Sequence, residues 1–325
     1  MRRMWTGLRG VAMLAMALAA QIGSGVAQAA DLNVVVTIKP IHSIVTVVME
    51  GVATPTLLID GIASPHTYSL KPSDTRALTA ARVVFRVSDG LEPFMSKITR
   101  SLPKTVQVVE LEKAPALTLY KLRSGGTFER HDHGGKKDKR GHAHDHSHSH
   151  ADDNNAIDGH IWLDPANAAR IATHIADVLA KAHPDGAERF KANAAAFGGR
   201  METLGDEVAA RMKPLADSAF IVFHDAYRYY EERFGLSAAG SVTISPEIAP
   251  SAKRLTALRQ KIAELKAVCV FAEPQFEPRL VVSITEGTNA RRGTLDPNGA
   301  AIPAGASHYE ALLRAMANDF ENCLK

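Results

Sequence analysis

No apolar run in this chain is long enough to cross a membrane. The longest, from Val11 to Ala20, falls far below the roughly 17–25 residues that a span requires, and no comparable run recurs. Preceded by Arg2, Arg3 and Arg9 and followed by Gly/Ser and Ala27-Gln28-Ala29, it reads as the core of a secretory signal peptide, with cleavage expected near Ala29. Cysteine is almost as scarce: there are two in 325 residues, Cys269 and Cys323. None stands near the cleavage site, which argues against a lipid-anchored form and for free diffusion in a periplasm. In an exported chain an even pair reads as one disulfide; in cytosol the same pair would be free core thiols. An excess of one charge is missing too. Residues 1–29 hold three arginines and no acid, so the formal +3 belongs to the leader. The remaining Lys and Arg are interspersed with acids, leaving no basic face for nucleic acid.

Histidine, by contrast, is concentrated. His131-Asp132-His133 and the alternating run His142, His144, His146, His148 and His150 place half of the chain's 14 histidines in one short polar stretch. Such a segment buries too little apolar surface to order itself, and neutral imidazole is the commonest ligand for borderline cations. The stretch reads as a metal-collecting loop over about 126–157.

The mature length suits two lobes of ordinary size. Short β-branched runs at Leu32–Ile38, Thr56–Ile59, Val83–Val87 and Thr105–Glu110 alternate with helical segments such as the one opened by Pro72-Ser73-Asp74. A second set follows at Ala219–Phe223, Gly240–Ile244, Val268–Ala272 and Gly293–Leu295, with helices around Leu255–Leu265 and Ser307–Phe320. Both sets are βα units of a parallel sheet. Between them Phe190, Ala194, Phe197, Met201, Leu204, Val208 and Met212 recur at three- and four-residue steps, which predicts one long amphipathic helix over 185–213, roughly 43 Å at about 1.5 Å per residue. Gly198-Gly199 marks a place for a kink. The expected α/β architecture is two Rossmann-like lobes, 30–184 and 214–325, joined by a long rigid helix.

Three further histidines stand at turns: Ser64-Pro65-His66-Thr67-Tyr68, Asp158-Gly159-His160-Ile161-Trp162-Leu163-Asp164-Pro165 and Phe223-His224-Asp225-Ala226-Tyr227. His224, Glu273 and Asp296 each follow an apolar run directly. The carboxyl ends of parallel strands form the crevice where ligands bind, so these groups should converge at the lobe interface. Three imidazoles suit tetrahedral Zn²⁺ better than the oxygen-seeking manganese or calcium.

With these motifs, Lys39-Pro40, Tyr68-Ser69-Leu70, Phe271-Ala272-Glu273-Pro274-Gln275-Phe276 and Gly293-Thr294-Leu295-Asp296-Pro297 as well, essentially the whole mature sequence resembles the periplasmic zinc-binding proteins of bacterial ABC importers, the ZnuA type. The resemblance implies zinc as transported cargo held between the lobes by His66, His160 and His224, and delivery to a membrane permease. Some zinc members carry a carboxylate before the first ligand histidine, where this chain has Pro65. The fourth position is therefore expected to hold water, with Asp296 or a loop histidine as alternatives. Glu273 resembles a family motif residue that is no ligand, and a structural or supporting role is expected of it. No nucleic-acid partner is expected, the chain should be a monomer, and other periplasmic zinc-handling proteins are further candidate partners.

Among the other histidines, His174 and His183 read as packing and capping residues, and His308 as the start of a helix capped by Ser307 with Glu310. His42 could stand behind the ligands, and Trp162 should pack on the following helix. A zinc hydrolase also uses three histidines and a metal-bound water. There is no His-Glu-x-x-His helix here, however, and a collecting loop has no use to an enzyme that keeps its metal. The expectation is a binding protein and not an enzyme, with a metal buffer or an adhesin of the same fold as the remaining alternatives.

Overall fold

The computed structural model describes residues 32–123, 128, 156–243, 246 and 250–325; the expected signal peptide and the seven histidines from His131 to His150 lie outside the described residues. The first lobe is built from β1 (Val34–Ile38), α1 (Lys39–Val48), β2 (Thr56–Ile59), α2 (Pro72–Ala80), β3 (Val83–Arg86), α3 (Pro93–Thr99) and β4 (Gln107–Glu110). After α4 (Pro165–Ala182) and α5 (Ala187–Met212), the second lobe runs β5 (Phe220–Val222), α6 (Arg228–Phe234), β6 (Ala238–Ser241), α7 (Ala252–Glu264), β7 (Cys269–Ala272), α8 (Arg279–Thr285), β8 (Arg291–Thr294) and α9 (His308–Leu324). Both sheets are parallel and share one strand order, β2-β1-β3-β4 and β6-β5-β7-β8.

The central strand β1 is Val-Val-Val-Thr-Ile and wholly buried, as a strand covered by helices on both faces must be. The edge strand β8 instead exposes Arg291 and Arg292, whose charges discourage pairing with another chain. The sixth strand lies at Ala238–Ser241 and not at the expected 240–244, because the small, alternately buried residues after Leu236 already pair with β5.

The joining helix α5 spans 26 residues, about 39 Å, and all seven residues of the expected stripe are buried. It packs along α4 and also against α1, α6 and α9. The helix runs unbroken through Gly198-Gly199. A Cβ at Gly198 would meet Ala169 of α4 at an ordinary contact distance of 3.9 Å, so packing does not demand glycine there, and burial of the apolar stripe outweighs its poor helix propensity.

The start of α9 departs from the sequence reading. Ser307 occupies the N-cap without a side-chain capping bond. The Tyr309 N–H instead donates to Ser43 Oγ from α1 at 3.0 Å, and Ser43 in turn donates to Ala306 O at 3.0 Å. Glu310 is taken up by Arg200 of α5 and by Arg314. A cap supplied from the other lobe satisfies the free helix donor as well as a local one would.

Cys269 on β7 and Cys323 on α9 form the disulfide, closing a loop of 54 residues. For that loop the chain-entropy model gives about 4 kcal/mol as an upper figure. The double substitution Cys269→Ser/Cys323→Ser should lower unfolding free energy by about 2–4 kcal/mol in urea titrations. Unchanged stability, or two alkylatable thiols in material from the periplasm, would contradict a structural bond.

Candidate metal centre

Strand order fixes where the second lobe can bind anything. The chain leaves β5 for β6 on one side and returns to β7 on the other, so a crevice opens beyond the carboxyl ends of β5 and β7. His224 stands just past β5 and Glu273 just past β7. The two are locked together: His224 Nδ1 lies 2.7 Å from both Glu273 oxygens, and the Tyr227 hydroxyl donates to Glu273 Oε1 at 3.0 Å.

In the first lobe the short turn Asp158-Gly159-His160 orients its own imidazole. Asp158 Oδ1 accepts from the His160 backbone N–H at 3.0 Å and from Nδ1 at 2.7 Å. Glycine is required between them, since a Cβ at Gly159 would lie 3.0 Å from Leu91 Cβ and 3.2 Å from Ser88 Oγ. The turn runs into a 3₁₀ segment, Ile161–Leu163, and then into α4, whose N-cap Asp164 accepts from Ala166 N–H. Trp162 is fully buried and pins the segment to the second lobe: its indole N–H donates to Pro297 O at 2.8 Å, and the Tyr309 hydroxyl donates to Trp162 O at 2.6 Å. His66 comes from the β2–α2 loop and is half-buried. That loop closes on Asp74, which accepts from the Tyr68 hydroxyl and the Lys71 N–H, both at 2.8 Å.

The three rings meet at their Nε2 atoms. His160 Nε2 is 3.4 Å from His66 Nε2 and 3.3 Å from His224 Nε2. Because His160 and His224 both donate through Nδ1 to carboxylates, each turns Nε2 toward the centre, with a bare lone pair there whenever the ring is neutral. A proton shared between two rings makes such a contact attractive, and so does a metal ion shared by all three. The spacing is also that of a tetrahedral edge: ligands at about 2.0–2.1 Å from a common centre lie about 3.3–3.4 Å apart.

Charge regulation fits this arrangement. Burial, and then the other histidines, hold His66 well below the usual histidine range; burial and then His224 do the same to His160. Both rings are therefore neutral at physiological pH. Burial pulls His224 down as well, but the charge and hydrogen bond of Glu273, with Asp225 and Asp158 behind them, outweigh it and raise the ring above the usual value. Burial pushes Asp158 up to about 7.

Other expectations resolve differently. Asp296 is already occupied: Oδ1 accepts from Gln275 Nε2 of the loop after β7 at 2.7 Å and from Asn298 N–H of its own loop at 3.0 Å, and Oδ2 accepts from Ala300 N–H at 2.6 Å. Among the described residues, His66, His160 and His224 alone form a group able to hold a metal ion. His42 lies apart from the cage, with Nε2 3.2 Å from Pro55 O. His308 is buried between Asn298 O and Pro303 O, and His183 ends α4, its N–H donating to Leu179 O. Asp158 escaped the sequence reading, although an acid two residues before a ligand histidine, across a glycine, was its signal.

The model of the family described as zinc-uptake complex component A, periplasmic (ZnuA) matches residues 34–323. The high-affinity zinc uptake system protein ZnuA of Brucella abortus (strain 2308) is 46% identical over 305 residues, covering 90% of this chain and 91% of that one. Its counterpart of the same name from Yersinia pestis is 37% identical over 316 residues, covering 97% of each. Among solved structures, a mutant of the laminin-binding adhesin Lmb from Streptococcus agalactiae superposes with a TM-score of 0.72 at 26% identity, covering 90% of this chain and 100% of that one. The chain belongs to the ZnuA family of periplasmic zinc-uptake proteins.

Proposed function

We propose that this chain is a periplasmic solute-binding protein that captures Zn²⁺ between its lobes and passes it to the membrane permease of an ABC importer. The observation that carries this reading is the convergence of three imidazoles, with His160 Nε2 at tetrahedral-edge distance from the Nε2 atoms of the other two and a carboxylate behind both His160 and His224. His66 and His160 of the first lobe (30–184) and His224 of the second (214–325) are the ligands, with 185–213 as the joining segment. Water takes the fourth position, because Asp296 is engaged by two backbone donors of its own loop and by Gln275 from the loop after β7. An imidazole cage favours zinc over manganese and calcium, which prefer oxygen.

Zinc here is cargo, and no covalent chemistry is assigned to the chain. Asp158 and Glu273 fix the tautomer and orientation of two ligands, so little ordering entropy is lost when the ion arrives. Export through the leader 1–29, cleaved after Ala29, delivers a monomer to the periplasm. The histidines at 131, 133, 142, 144, 146, 148 and 150 act as an auxiliary, weaker collecting segment.

Calorimetric titration of the metal-free mature protein should show one tight zinc phase that His160→Ala abolishes. Asp158→Asn should keep the phase and weaken it about 10–100-fold. A tight phase untouched by His160→Ala would refute the ligand assignment.

Zinc must displace whatever proton His224 carries, and the raised value of that ring sets the direction of the pH effect. Affinity should fall as pH drops from 8 to 5.5, and binding at pH 6 should release about one proton, read from titrations in buffers of different ionisation enthalpy. An affinity constant over this range would contradict the role of His224.

Deletion of residues 126–155 should spare the tight phase and the cooperative unfolding of the metal-free protein while lowering total zinc bound in equilibrium dialysis. Loss of the tight phase on deletion would move the ligand set into the insertion.

A further inference from the structure

The histidine-rich insertion leaves and re-enters the first lobe through a short stem. Lys121 and Ile157 form an antiparallel bridge, flanked by Leu122 N–H donating to Ala156 O and Asp158 N–H donating to Tyr120 O, both at 2.9 Å. The returning strand of this stem runs directly into Asp158-Gly159-His160, and the outgoing strand ends at Arg123.

Arg123 does not stay in its own lobe. Its Nε donates to Asp225 Oδ1 at 2.9 Å and Oδ2 at 3.1 Å, and its Nη2 also reaches Asp225 Oδ1. Nη1 donates to Glu231 Oε2 at 2.7 Å and Nη2 to Glu231 Oε1 at 3.1 Å. Both carboxylates belong to the second lobe and are almost fully buried, with side-chain exposures of 4% and 3%. Phe128 covers one face of the guanidinium, its centroid 4.2 Å away. Asp225 adjoins the ligand His224, and Glu231 on α6 also accepts from Ala238 N–H at the start of β6. The stem makes a second crossing nearby: Tyr229 on α6 accepts from the Tyr120 N–H at 3.1 Å and donates from its hydroxyl to Asp158 O at 2.9 Å.

Resting on the reading of His66, His160 and His224 as a zinc cage, we propose that Arg123 is a positioning residue for metal capture, a two-carboxylate clamp that sets the His160–His224 separation before the ion arrives. A planar guanidinium with five donors can engage both oxygens of each of two carboxylates; a lysine has three donors on a point charge and lacks that fork. Charge and geometry make opposite demands here. Removing a cation close to the cage would by itself favour a bound dication, since the two acids would remain. Removing a clamp would weaken binding. The sign of the effect therefore identifies the role.

The test compares Zn²⁺ affinity and the ligand-field spectrum of the Co²⁺-loaded protein for the full mature chain and its Arg123→Met and Arg123→Lys variants, with His160→Ala as control. Arg123→Met is expected to weaken zinc about 10–100-fold and to alter the cobalt bands, and Arg123→Lys to leave most of that loss in place. If Arg123→Met does not fold, Arg123→Lys alone carries the comparison. Zinc binding by Arg123→Met as tight as wild type or tighter, or full rescue of affinity and spectrum by Arg123→Lys, would overturn the proposal. So would recovery of wild-type affinity when Asp225→Asn and Glu231→Gln are added to Arg123→Met, because local distortion around two buried, unpaired carboxylates, and not the missing clamp, would then explain the loss. A wild type without a tight phase dependent on His160 would sink the cage itself, an outcome distinct from these.

Discussion

Three imidazoles crowded around one point repel one another wherever two bare lone pairs face, and the fold holds His160 Nε2 3.4 Å from His66 Nε2 and 3.3 Å from His224 Nε2. Each ring could relieve the repulsion by turning or by taking a proton. Turning is blocked for two of them by Asp158 and Glu273, whose carboxylates grip Nδ1 at 2.7 Å. Protonation of His66 and His160 is opposed by burial. A destabilised, preorganised metal-free site is the outcome, and a metal ion shared by all three removes the conflict. Folding has already met the cost of ordering, so the free energy of coordination appears largely as affinity.

The rest of the architecture keeps that conflict from dissipating. If the lobes drifted apart by an ångström, the three nitrogens would separate and nothing would be stored. The long helix α5 packs on helices of both lobes, and polar side chains cross the cleft on two sides. On one side, Lys39 Nζ donates to Ala300 O and Ile302 O, Trp162 to Pro297 O, and Ser43 caps α9. On the other, Arg123 and Tyr229 join the stem to α6. These bonds satisfy backbone groups that would otherwise be buried without partners, so breaking the interface exposes or orphans them.

Much of this was legible in the sequence, for local reasons. Apolar runs ending in a polar residue marked β5 and β7, and therefore His224 and Glu273 at their carboxyl ends, whereas β8 is Arg-Arg-Gly-Thr and begins two residues before the Gly293–Leu295 stretch that announced it. Three- and four-residue apolar spacing marked α5 within two residues at each end. What stayed hidden depends on distance along the chain. The partners of Arg123 lie 102 and 108 residues away, and the Ser43 cap of Tyr309 lies 266 residues away, beyond any local pattern. The engagement of Asp296 was hidden for a different cause. An aspartate that caps its own loop and one that faces a metal have the same sequence context, and only the placement of Gln275 and the Ala300 N–H separates them.

The division of ligands between the lobes, two on one and one on the other, also has a meaning in coordination chemistry. With the proposed ligand set, the first lobe would be a bidentate chelator and the second a monodentate one, and the hold on zinc would depend on the effective concentration of His224 at the other two rings. That concentration is high only while the lobes are fixed, and it collapses once His224 moves out of bonding reach. A protein that must bind scarce metal tightly and still surrender it is served by such a split denticity. One small displacement turns a tridentate trap into a two-donor site that exchanges its ion with water.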